Sequence, residues 1–81
     1  MGGARYLKGS KKMPLSSIGI GKRCRIKDVT GDDAVRHRLG ALGFVTGMEV
    51  EIVAEVGGNF VVGVLGSRVA VDGGLARRIL V

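Results

Sequence analysis

Arg38-Leu39-Gly40-Ala41-Leu42-Gly43-Phe44-Val45-Thr46-Gly47, followed by Met48-Glu49-Val50-Glu51-Ile52-Val53-Ala54-Glu55-Val56, is the stretch whose reading decides the fold. Leu39 and Leu42 lie three apart and share one face of a helix. Gly43 stands where a chain leaving a helix turns left-handed, a conformation that glycine enters without steric cost. Phe44 then becomes an apolar plug at the corner. Beyond it Met48, Val50, Ile52, Ala54 and Val56 alternate with Glu49, Glu51, Val53 and Glu55, and a period of two marks a strand with one buried and one wet face. A short helix therefore feeds directly into a sheet.

Upstream, Pro14 and Ser16-Ser17 suggest a single helical turn or a tight loop over residues 14–18 that delivers Leu15 and Ile18 to the core. Lys22 to Val29 reads as the first strand, with Cys24 and Ile26 inward and Val29 inward too if a bulge forms near Asp28. Thr30-Gly31-Asp32-Asp33 is a loop and cap for a helix over 34–42, either aspartate serving its free amides. Downstream, Gly57-Gly58-Asn59 makes a hairpin, Phe60 to Leu65 a third strand, and Gly66-Ser67 a second tight turn. Arg68 to Val71 follows as a fourth strand, Leu75 to Arg78 as a short turn, and Ile79-Leu80-Val81 as a fifth strand. Five short antiparallel strands with one short helix inserted after strand one predict a mainly β protein, a small SH3-like barrel. Closing first strand on last removes edges that would otherwise aggregate. Arg23, Arg25 and Lys27 oppose Glu49, Glu51 and Glu55 in sign, so the first two strands should be neighbours in register.

The pieces Pro14-Leu15-Ser16 leading to Ile18 and Gly21, Cys24 to Val29, Leu39 through Gly47, and Leu75-Ala76-Arg77-Arg78-Ile79-Leu80-Val81 resemble the ferrous iron transport protein A (FeoA) family. The resemblance runs from about Met13 to the last residue. It implies an SH3-type barrel acting as a noncatalytic cytoplasmic accessory of bacterial ferrous iron uptake. Such a protein would dock to and modulate the ferrous iron permease and its GTPase domain, meeting the membrane only indirectly. Two features depart from the family: Asn59 stands where a proline is frequent, and residues 1–12 precede the matching region.

With 81 residues the chain makes one domain, and 46% apolar content suffices for a compact core. No apolar run reaches the 18 residues that a membrane-spanning helix needs, and no secretory signal is evident at the start. The net charge of +6 is concentrated at one end. Arg5, Lys8, Lys11 and Lys12 give residues 1–12 a local charge of +4 without an acid, whereas residues 13–81 set nine basic groups against seven acidic ones. The division expected is a basic flexible tail over 1–12 and the barrel over 13–81.

Chemistry is sparse. A single Cys excludes an internal disulfide, and Cys24 reads as a packed thiol. His37 lies between Arg36 and Arg38 on a helix face away from Leu39, so no nucleophile and base converge and no enzyme is expected. A ferrous site needs several converging ligands, such as two histidines and a carboxylate, and the chain holds one histidine. Asp32 and Asp33 read as caps, the glycine pairs lack the lysine of a phosphate loop, and no metal or cofactor is expected. Partner contact is expected on the helix face and its following corner, with Arg36, His37, Ala41 and Val45 exposed and Leu42 and Phe44 supporting them from the core. Two other readings remain: a small basic nucleic-acid-binding barrel, for which the three aromatic residues are too few, and a stand-alone regulatory domain like the C-terminal domain of iron-dependent repressors.

Overall fold

The computed structural model describes residues 12–81. Eight elements with the order ββαβββαβ follow a 3₁₀ turn at Leu15–Ser17. They are β1 (Arg23–Arg25), β2 (Asp28–Val29), α1 (Asp33–Ala41), β3 (Glu49–Val56), β4 (Asn59–Val64), β5 (Ser67–Asp72), α2 (Gly73–Ala76) and β6 (Ile79–Leu80). One antiparallel sheet has the order β1-β3-β4-β5, and a second pairs β2 with β6. The first strand expected from sequence is thus split: its front half pairs with β3 and its back half with the chain terminus. Ile26, between the halves, is buried. Paired hydrogen bonds between Met13 and Val81, and a bridge between Pro14 and Leu80, complete the closure of start on end. The result is the expected mainly β SH3-like barrel with one helix inserted after strand one.

The helix corner is built by backbone hydrogen bonds. Asp32 Oδ1 accepts from the Val35 amide at 2.9 Å and caps the start of α1. At the other end the Gly43 amide donates to the Gly40 carbonyl and the Phe44 amide to the Leu39 carbonyl, both at 3.0 Å. This bond pair is the Schellman arrangement, and Gly43 has the positive φ of 102° that it requires. Leu39 and Phe44, joined by the second bond, are both fully buried. The core they enter comprises Leu15, Ile26, Val50, Ile52, Phe60, Val62, Val64, Val71, Ala76, Ile79 and Val81. Cys24 is half-buried and packs against it.

Three expectations are corrected. Leu42, expected in the core beside Leu39, is 41% exposed, because α1 ends at Ala41 and the reversal at Gly43 swings the capping residue outward. Ala54 and Val56, expected inward, leave the inner face because the register slips between Ile52 and Ala54. That β-bulge makes Val53 an extra residue, and Val56 ends 69% exposed. The second hairpin turns at Leu65-Gly66 rather than Gly66-Ser67, since Val64 pairs with Ser67. The charge register is as expected: Arg23 lies opposite Glu51 and Arg25 opposite Glu49, with Arg23 Nε 3.5 Å from Glu51 Oε1. Glu55 instead lies opposite Phe60. The expected tail falls on 1–12, of which only Lys12 is within the described residues, its Nζ 3.6 Å from Asp28 Oδ2.

Gly43→Ala puts a side chain at positive φ and a Cβ 2.8 Å from Leu65 Cδ1. It should lower stability to urea unfolding by roughly 1–2 kcal/mol. Phe44→Ala, which empties the corner, should cost about 3–5 kcal/mol in the same measurement.

Candidate functional site

Three exposed apolar side chains lie around the corner at Gly43. Leu42 and Val45 flank Gly43 in sequence and are 41% and 43% exposed. Leu65 arrives from the β4–β5 turn, where its Cδ1 and the Val64 side chain close over the bare Cα of Gly43. Leu65 is 66% exposed and is the one non-glycine with positive φ, 54°, among the described residues. Two-residue turns of this type prefer Asn, Asp or Gly at that position, and the Gly57-Gly58 turn of the same protein follows the preference. A leucine there strains the backbone by about 1 kcal/mol and gains little burial in return. Neither folding term favours it.

The rim of this patch is basic. Arg36, His37 and Arg38 are exposed on α1 and take no part in the Lys12–Asp28 and Arg23–Glu51 ion pairs. A shallow hollow of about 230 Å³ brings Arg36 together with Gly40, Phe44, Val45 and Thr46 beside Asp28 and Val29. On its other side Leu65 borders a groove of about 450 Å³ across the outer sheet face, floored by Gly63 and flanked by Arg23, Glu51 and Arg68.

Of the residues expected to contact a partner, Arg36, Phe44 and Val45 share the hollow, whereas His37 and Ala41 are exposed on the helix. Phe44 is buried beneath the corner, and its burial is as expected. Leu42 is itself surface. Leu65 was not foreseen. It continues the apolar strand Phe60–Val64, and its signal in the sequence is only that Leu65-Gly66 leaves two residues between Val64 and Ser67.

Ligand chemistry is not concentrated anywhere. Among the described residues no three His, Cys, Asp or Glu side chains group as a metal site. Asp32 is occupied as a helix cap, and Cys24 and His37 stand on separate elements, β1 and α1. No helix among these residues is long and apolar enough to cross a membrane.

The FeoA domain model matches residues 13–81. The chain belongs to the FeoA domain family. That membership places it among the accessory proteins of ferrous iron transport. Stenotrophomonas maltophilia FeoA, solved in complex with zinc and described as a procaryotic SH3 domain protein proposed as a ferrous iron transport activating factor, is 36% identical, with a TM-score of 0.72 over 83% of this chain and 86% of that one. A crystal structure of an iron uptake regulatory protein, FeoA, gives a TM-score of 0.79 at 28% identity over 86% of this chain and 93% of that one. A manganese-dependent transcriptional repressor superposes with a TM-score of 0.78 at 16% identity, covering 86% of this chain and 40% of that one, a likeness of fold alone. No curated protein matches the chain by sequence.

Leu65→Asn relieves the left-handed strain and loses little packing. It should leave the thermal and urea stability of this FeoA domain unchanged or raise it by up to about 1 kcal/mol. A loss of stability would show that Leu65 serves the fold rather than the surface.

Proposed function

We propose that this protein is a noncatalytic accessory that works in the cytoplasm, where it docks to the ferrous iron permease through the permease's GTPase domain and modulates it. The observation that carries this reading is Leu65, an exposed leucine held in a strained turn where the fold alone favours a polar residue or glycine. Backbone strain that the fold does not need is characteristic of binding positions.

Physical support comes from the patch as a whole. Leu42, Val45 and Leu65 are exposed apolar side chains around a corner whose backbone is fixed by the Gly43 reversal. Burying them supplies affinity, because association removes their apolar area from water. Arg36 and Arg38 add exposed guanidinium groups beside the corner that take no part in the Lys12–Asp28 and Arg23–Glu51 ion pairs, so an acidic face on the partner would complement them and the encounter would be accelerated at low salt. Arg36, His37, Ala41, Leu42, Phe44 and Val45 are the proposed contact and support residues, joined by Leu65. Nothing in this role requires a bound metal or a reacting group, so iron is the permease's cargo.

Binding to the purified cytoplasmic domain of the permease, followed by biolayer interferometry, tests the proposal. Leu65→Asn should weaken it at least about tenfold, the loss of one central apolar anchor. Arg36→Glu should weaken it further at low salt and less at high salt. Wild-type affinity in Leu65→Asn, or salt-sensitive capture of nucleic acid in place of the permease, would contradict the proposal.

A further inference from the structure

Strand β5 ends the four-stranded sheet, and its outer edge pairs with no strand among the described residues. The two-residue turn makes Val64 and Ser67 a hydrogen-bonded pair, so Ser67, Val69 and Val71 bond back to β4. The alternate residues Arg68, Ala70 and Asp72 therefore aim their amides outward. No backbone bond within the described residues reaches the outward groups of Arg68 or Ala70. β5 holds no proline, no lysine and no register shift, and the charges on its exposed face, Arg68 and Asp72, are of opposite sign.

We infer that this edge pairs with itself, so that two copies of the chain join antiparallel along β5 with Ala70 opposite Ala70. In that two-fold register Arg68 of each copy faces Asp72 of the other, because the two stand at equal distances on either side of Ala70. Arg68, Ala70 and Asp72 are all exposed and alternate onto the outer sheet face, so each carboxylate meets a guanidinium across the seam. Asp72 uses Oδ1 to cap α2, accepting from the Leu75 amide at 2.8 Å, which leaves Oδ2 for the arginine. Facing Ala70 residues exchange both backbone bonds, and the small side chains admit close approach. The opposite edge of the sheet lacks this self-complementarity. β1 spans only Arg23–Arg25, and a two-fold pairing there would set arginine against arginine. The inference stands independently of the docking reading, since it uses neither Leu42, Val45 nor the α1 cations.

Sedimentation and light scattering of the full chain from micromolar to millimolar concentration test it, with hydrogen exchange at both ends of the range. The expected mass rises to twice that of one chain. Protection of the Arg68 and Ala70 amides should rise with it. Arg68→Glu sets two carboxylates against each other on both sides of the seam and should raise the midpoint concentration about tenfold. Ala70→Pro removes an amide that bonds to nothing among the described residues and should abolish dimerisation, while its circular dichroism remains that of the wild type. A wild type that stays monomeric to millimolar concentration overturns the inference, as does an Arg68→Glu midpoint equal to that of wild type. Amide protection independent of concentration also overturns it, because one chain then covers its own edge.

Discussion

The hydrogen bond from the Phe44 amide to the Leu39 carbonyl, made possible by the reversal at Gly43, is the constraint on which the other features rest. It joins two buried side chains that lie on either side of a helix end, so the helix is anchored to the core at the point where the chain leaves it. The short helix α1 has little stability of its own. Its docking at this corner, together with the Asp32 cap, holds it. The same reversal points Leu42 outward and starts the path that leads through a β-turn at Val45–Met48 into β3. A single backbone geometry thus sets both the inside and the outside of the corner.

The barrel closes by economies of a similar kind. Splitting the first strand at Ile26 lets it serve two sheets, with β3 on one side and the chain terminus on the other. The bulge at Val53 bends β3 and increases its twist, which a sheet this small needs in order to wrap. Opposite charges on β1 and β3 contribute little energy as exposed pairs. Their effect is on register, since a slip of one residue would exchange the inner and outer faces.

The sequence reading recovered what local chemistry determines. Alternation, glycine punctuation and a capping aspartate before α1 were legible because each acts within a few residues of itself, whereas Asp72, expected only to break a strand, caps α2. What remained hidden depended on distant partners. The break at Ile26 arises because β2 has β6 to pair with, and Val56 faces outward because the register to β4 shifts three residues earlier. Leu65 was hidden for a different reason: the apolar pattern assigned it to a strand, and leucine is not among the residues that favour the positive φ of a tight turn. The site was therefore half visible, its helix side from sequence and its turn side from structure alone.

Family membership, the exposed arginines of α1 and the strained leucine are the grounds for the proposed contact surface. Methyl chemical-shift mapping examines that claim most directly: isotope-labelled protein is titrated with the permease's cytoplasmic domain. The account predicts that the largest perturbations fall on the methyl groups of Leu42, Val45 and Leu65, with Ala41 beside them. Perturbations centred instead on the far end of the barrel, around Leu15 and the α2 turn, would contradict it.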